Sequence, residues 1–308
     1  MSAISIRNLS KSFGDFTAVS HLDLEIRENS VFGFLGPNGA GKTTTIRMMV
    51  GLIKPSSGSI EIAGSKVAFG EVKTHSSFGY LPEQPSFYGW MSGEEYLRFT
   101  AGLFGLSRKE EAQRTKRLLA LVDLEAARKK KISTYSNGMK QRLGIAQALM
   151  NDPEVLILDE AVSALDPIGR KEVLNIIEEL RKDKTIFMST HILADVDRIC
   201  DDVAIIDQGK LVIQSPLAVL KEKYASPILK VDFTRDPGAA VPELERSRWV
   251  KKVEKSGNQI RIWLQDSEVM ESNIPLKALA GFDIGILSYG LTLPETEDLF
   301  VELLEKKR

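Results

Sequence analysis

"FLGPNGAGKTTTIRMM", residues 34–49, decides the fold. Phe34 and Leu35 run into Gly36, Gly39 and Gly41, followed by Lys42 and the threonines Thr43 to Thr45. Glycine costs backbone entropy, so glycines directly after an apolar strand must serve a close approach or a positive φ. Gly36, Gly41, Lys42 and Thr43 satisfy G-x-x-x-x-G-K-[ST] with a strand before and a helix after, the context that the motif requires. The glycines let backbone N–H groups curl around phosphate oxygens, and the helix aims its positive end at them. In this reading Lys42 reaches the β- and γ-phosphates and the Thr43 hydroxyl holds Mg²⁺.

Outward from the loop, short apolar runs alternate with longer helical patterns. "SVFGFLG" (30–36), "EVLILDE" (154–160) and "KTIFMSTH" (184–191) predict buried strands. "KTTTIRMMVGLI" (42–53) and "PIGRKEVLNIIEELRKD" (167–183) predict helices. Such alternation implies a mostly parallel sheet covered on both faces, an α/β P-loop fold. The first thirty residues and 58–80 are strand-rich without long helices and are expected to form an antiparallel layer at one edge. From "MSGEEYLRF" to about 131 the chain reads as a helical arm, opened by Ser92 and Glu95 at capping-box spacing.

A second piece must supply metal and water chemistry. Val155–Leu158 lead into Asp159 and Glu160, at the carboxyl end of a strand, where ligands sit in open α/β sheets. Asp159 is placed to hold the Mg²⁺ shell and Glu160 to polarise a water toward the γ-phosphate. His191 follows another strand and puts an imidazole at the same sheet edge. His21 and His75 read as structural. Ser136, Asn137 and Gly138 open a further helix with Ser136 as N-cap. That helix start is a second phosphate-binding device, and one nucleotide cannot easily use both. The economical solution is that it faces the nucleotide of another copy.

With "GPNGAGKTT", "YSNGMKQR", "LILDEAVSALDP" and "STH" in this order, residues 1 to about 220 resemble the nucleotide-binding subunit of ABC transporters. The resemblance implies an ATPase using ATP and Mg²⁺, with Pro37, Asn38, Gly39, Ala40 and Thr44 joining the phosphate loop. It implies two domains head to tail, so that Ser136, Asn137, Gly138 and Met139 contact the partner's ATP. Phe13 matches the aromatic that stacks on adenine, although from the residues alone it reads as core. Asp166 looks like the dimer-crossing loop, and Asp166–Pro167 is also a good N-cap and N1 pair. In the family the histidine at 191 contacts the γ-phosphate and holds the water.

There are departures. The family's usual glutamine after the edge strand falls at Glu83, with Gln84 beside it; a carboxylate can also meet Mg²⁺, so both stay open. The signature reads Tyr-Ser-Asn-Gly-Met where Leu-Ser-Gly-Gly-Gln is common, and Asn137 tolerates left-handed geometry. Ala161 replaces a frequent proline with no chemistry lost.

Beyond 220 the order "ILKVDF", a short helix near "PELERS", "WVKKVE" and "QIRIWL" across Ser256–Gly257–Asn258, a helix near "SNIPLKALAG" and "DIGILSY" suggests a small ferredoxin-like unit. "PETEDLFVELLEKK" (294–307) reads as an amphipathic helix, similar to the tail of single-domain exporter ATPases. The expected domains are therefore 1–220, with its arm at about 90–140, and an accessory α+β domain at 221–308.

Composition bounds the rest. The chain has 308 residues, 43% hydrophobic and 27% charged, with a formal net charge of -1. No basic excess is available to hold a nucleic acid by charge alone. The single cysteine, Cys200, fits a reducing compartment, and no run approaches the ~18 apolar residues of a membrane span. By resemblance the partners are an integral-membrane permease encoded separately and a second ATP-binding subunit, identical or paralogous. The location would be cytoplasmic, at the inner membrane face through that permease. The rival class is a soluble ABC-type ATPase in cofactor assembly, translation or DNA repair. The arm is too short for a repair coiled coil, and a single P-loop argues against a tandem translation factor.

"PSFYGWMSGEEYL" (85–97) crowds Phe87, Tyr88, Trp90 and Met91 into one loop. Either they fold inward as a staple on the helix after Ser92, or they line a groove for a permease helix.

Overall fold

The computed structural model describes residues 2–70, 77–163, 165–223, 228–265, 269, 272–292, 300 and 303. They form two compact units, one ending at Leu217 and the other beginning at Ala218.

The core of the first unit is a six-stranded sheet. Strands β3 (Val31–Leu35), β6 (Phe78–Leu81), β7 (Val155–Asp159), β8 (Thr185–Thr190) and β9 (Asp202–Asp207) are parallel, and β10 (Lys210–Pro216) closes one edge antiparallel to β9. Two-sided burial explains their unbroken apolar sequences. Val155, Ile157 and Phe187 face one hydrophobic cluster, and Leu156, Leu158, Ile186 and Met188 face the other. Phe32 stacks on Phe187 with ring centroids 5.7 Å apart, so Phe187→Ala would cost ~3–5 kcal/mol.

One face is covered by an antiparallel sheet of β1 (Ser2–Phe13), β2 (Phe16–Arg27), β4 (Ser57–Ile62) and β5 (Ser65–Lys66) in the order β2-β1-β4-β5, with α1 (Lys42–Met49) beneath it. The expected antiparallel layer is thus present, but Phe78–Leu81 leaves it. Three of its four residues are buried, and it pairs in parallel with β7, because it has core on both sides.

The other face carries α2 (Gly93–Leu103), α3 (Arg108–Leu121), α4 (Asn137–Ala148) and α5 (Pro167–Leu180). Ser92 and Glu95 form the expected capping box, and Ser107 and Glu110 form a second one at α3. The short helix α6 (Leu193–Ile199) links β8 to β9, and α7 (Leu217–Lys223) follows β10. Phe87 and Met91 pack against this helical cluster, whereas Tyr88 and Trp90 are exposed. The aromatic loop is a staple at two positions and surface at the other two.

The second unit runs β11 (Ile228–Phe233), α8 (Val241–Glu245), β12 (Val250–Ser256), β13 (Gln259–Leu264), α9 (Ile274–Ala280) and β14 (Ile286–Thr292). Its antiparallel order β12-β13-β11-β14 is the ferredoxin-like arrangement, with Leu244 and Leu279 of the helices packed on Leu229, Val231 and Ile262. The last strand begins three residues later than "DIGILSY" suggests. Apart from residues 300 and 303, the segment expected as the terminal helix lies outside the described residues.

Candidate active site

β3 delivers the chain to a glycine loop and α1 takes it away. Gly41, the N-cap of α1, has φ +105°, and a Cβ there would stand 2.6 Å from Ala18 O, so no other residue fits. The buried Lys42 donates from Nζ to Gly36 O at 2.8 Å and lies 3.3 Å from Glu160 Oε1. The loop is also held from behind. The Gly209 N–H donates to Ala40 O at 3.0 Å, and Gly209 O accepts from the Ser20 N–H at 2.8 Å. Gly209 has φ +75°, and a Cβ on it would meet the same Ala18 carbonyl at 2.6 Å.

These walls enclose an open cavity of about 370 Å³ lined by Pro37, Asn38, Gly39, Gly41, Lys42, Thr43, Thr44, Glu83, Glu160 and His191, with Phe16, Ala18 and Ser163. Ala40 is buried behind the loop, its N–H donating to Pro37 O at 3.2 Å.

β7 and β8 bring Asp159, Glu160 and His191 together. Asp159 pairs in register with Ser189, whose hydroxyl donates to Asp159 Oδ1 at 2.7 Å. The Thr43 hydroxyl reaches the same oxygen at 3.5 Å. Burial pushes the Asp159 carboxyl above its ordinary value; the two hydroxyls pull it back, and the Glu160 and Glu83 charges push it further. Glu160 sits at φ +49°, a strained region for a non-glycine residue. Its N–H is held by Ser189 Oγ at 3.0 Å and its carbonyl by the Ser163 hydroxyl at 2.9 Å. The strained backbone is thus tied on both sides. One carboxylate oxygen faces Lys42, and the other is 2.8 Å from His191 Nδ1.

Ser189 is one of the residues that the sequence does not single out. The motif "STH" contains it but assigns it no role; only the β7–β8 register reveals one.

Other expected residues lie as follows. Phe13 is 49% exposed under the Lys11 ammonium, so the reading of it as core is wrong. The aromatic of this hairpin that lines the cavity is Phe16. Glu83 lines the cavity, and Gln84 is not among its lining residues. Ser136, Asn137, Gly138, Met139 and Asp166 are also absent from that lining. Ser136 caps α4 by accepting from the Met139 N–H at 3.2 Å, and Asp166 caps α5 by accepting from the Gly169 N–H at 2.8 Å. A Cβ built on Gly138 would stand 3.8 Å from Gly169 Cα, so these two helix starts abut and form a separate surface. The exposed His21 meets the hydroxyl of its neighbour Ser20 through Nδ1 and is not among the cavity lining residues, and His75 lies outside the described residues.

The cavity has the chemistry for a nucleoside triphosphate, with backbone amides and a lysine for phosphate and a carboxylate–imidazole pair for water. Thr43, Asp159 and Glu83 offer hard oxygen donors suited to Mg²⁺. Among the described residues no cluster of three His, Cys, Asp or Glu could hold a metal alone.

The family described as ABC transporter matches residues 19–163. YxlF of Bacillus subtilis (strain 168), an uncharacterized ABC transporter ATP-binding protein, is 44% identical over 220 residues, 71% of this chain and 73% of its own length. BcrA of Bacillus licheniformis, a bacitracin transport ATP-binding protein, is 42% identical over 222 residues, covering 71% and 72%. The similarity to YdbJ of B. subtilis, an uncharacterized ABC transporter ATP-binding protein, is 33% over 307 residues, 97% of this chain and 94% of that one. A solved structure of the ATP-binding subunit of an ABC transporter matches with TM-score 0.66 at 31% identity, over 72% of this chain and 93% of that one. With the glycine loop and the Glu160–His191 pair in one cavity and these relatives, this chain is an ATP-binding, ATP-hydrolysing subunit and belongs to the ABC transporter family.

Proposed function

We propose that ATP hydrolysis by this chain drives export through a separately encoded membrane permease. The observation that carries the hydrolytic part is the convergence of Lys42, Glu160 and His191 in one cavity with the phosphate loop. Loop amides and Lys42 bind and orient the triphosphate. Glu160 accepts the proton of the attacking water, and His191 holds that water and contacts the γ-phosphate. Mg²⁺, held by Thr43 and Asp159 with Glu83 nearby, would neutralise charge on the β- and γ-phosphates. Ser136, Asn137, Gly138 and Met139 of a second copy close over the γ-phosphate, with Asp166 beside them. The adjacency of the α4 and α5 starts, away from the lysine cavity, supports this two-copy arrangement. On this reading the chain is cytoplasmic and reaches the inner membrane face through the permease.

No helix among the described residues is long and apolar enough to cross a membrane; in this proposal a separate permease supplies the path. A groove of about 280 Å³ offers it a dock, lined by Leu52, Phe78, Tyr80, Thr100, Leu103 and Phe104 among others. Leu52 and Leu103 are more than half exposed, which suits a cytoplasmic helix of the permease. Tyr88 and Trp90 are not part of this lining. Mild-detergent purification from the native membrane tests the reading: an integral-membrane chain should co-purify and raise ATP turnover. A purely soluble set of partners would overturn it in favour of a soluble ABC-type ATPase.

A further inference from the structure

The loop 88–91 and the segment 128–133 form one surface. The Ile132 N–H donates to Met91 O at 2.8 Å, the Ser133 N–H to Gly89 O at 3.0 Å, and the Glu94 N–H to Arg128 O at 3.0 Å. Ser92 and Lys131 form an antiparallel bridge. Trp90, 69% exposed, is therefore fixed two residues from the pairing partner of Lys131. Tyr88, 50% exposed, is braced by the Phe99 edge at 5.8 Å and by the Trp90 ring at 6.1 Å. Arg128 is engaged by Glu94 at 3.3 Å, but Lys129, Lys130 and Lys131 are exposed and have no ion pair among the described residues. From Trp90 to Lys140 there are eleven Lys and Arg against six Asp and Glu, in a chain whose net charge is -1.

We propose that this face rests on an anionic lipid surface, Tyr88 and Trp90 at headgroup depth and Lys129–Lys131 on the phosphates. Amphipathic aromatic rings beside unpaired lysines are the composition that the membrane interface selects. The choice of lysine favours lipid over an acidic peptide. Three consecutive solvated point charges on flexible stems suit a plane of phosphates without fixed register, whereas bidentate carboxylate recognition favours arginine. This contact needs no permease and is separate from the groove beside Leu103.

The test is flotation of the full chain with phosphatidylcholine vesicles, with and without phosphatidylglycerol, at low and high salt. Binding should require phosphatidylglycerol and weaken as salt screens the charges. Each lysine should contribute on the order of fivefold, so Lys129→Gln with Lys130→Gln and Lys131→Gln should weaken binding ~10²-fold. That triple variant should hydrolyse ATP at the wild-type rate, which shows that it is folded. Tryptophan emission should shift to the blue on anionic vesicles in the wild type and not in Trp90→Phe. Equal binding to neutral vesicles, no binding to anionic ones, or an unaffected triple variant would overturn the proposal. So would capture of an acidic peptide by the lysines without vesicle binding.

Discussion

His191 Nδ1 lies 2.8 Å from Glu160 Oε2, while the other oxygen of the same carboxylate lies 3.3 Å from Lys42 Nζ. One buried carboxylate thereby bridges the lysine of the glycine loop and the imidazole at the sheet edge. Glu160→Gln keeps the shape and removes the proton acceptor. It should lower steady-state ATP turnover ~10²–10⁴-fold and leave ATP binding intact. Turnover within a few-fold of wild type would assign the base elsewhere.

The Glu160→Gln protein is also the vehicle for the two-copy arrangement. With Mg-ATP it should elute as a dimer in size-exclusion chromatography. Adding Ser136→Arg places a bulky side chain at the α4 start, away from the chain's own cavity, and should return it to monomer. A monomer in both proteins counts against the sandwich.

Ser189 is fully buried and holds Asp159 Oδ1 and the Glu160 N–H at once. Ser189→Ala should raise the Mg²⁺ concentration for half-maximal turnover by ~10–100-fold, the usual cost of losing a partner behind a metal ligand. A lowered melting temperature with unchanged Mg²⁺ dependence would reduce Ser189 to a packing residue.

Asp159 has its carboxyl pushed above the ordinary value, mainly by burial. A carboxyl with a raised folded value binds its proton more tightly when folded, so its ionisation lowers stability as pH rises past the unfolded value. Asp159→Asn should therefore raise the melting temperature at neutral pH, by ~1 kcal/mol of stability, while losing Mg²⁺-dependent hydrolysis. The gain should fade as pH falls below the folded value and the wild-type carboxyl becomes neutral. Thermal melts across acidic to neutral pH measure both, and a gain that grows on acidification would refute the assignment.

Leu103 and Phe104 are exposed at the rim of the apolar groove. Leu103→Ser with Phe104→Ser should leave basal ATPase within about twofold, since exposed changes away from special features cost little. It should abolish permease-stimulated turnover in reconstituted vesicles. Full stimulation would place the dock elsewhere.

Much of this was legible along the chain because the chemistry is local. Phosphate binding needs glycines, lysine and threonine at fixed spacing, and two-sided burial writes itself as "VLIL" and "TIFM". Phe78–Leu81 was misplaced because four residues carry too little periodicity to tell a covered strand from a one-sided one. Ser189, Phe16 and Gly209 were invisible for another reason. Their roles come from strand register and a turn that returns from far along the chain. The separation of Phe87 and Met91 from Tyr88 and Trp90 likewise needed the backbone pairing with 128–133.

Gly41 and Gly209 come from opposite ends of the nucleotide-binding unit and crowd the same carbonyl, that of Ala18. A saturation-mutagenesis map would consequently score Gly209 among the most intolerant positions, as if it took part in chemistry. It has no side chain and is not among the residues that line the cavity. Its intolerance would report only that two turns must pass over one oxygen, and a search for inhibitors or reaction partners guided by such a map should set it aside.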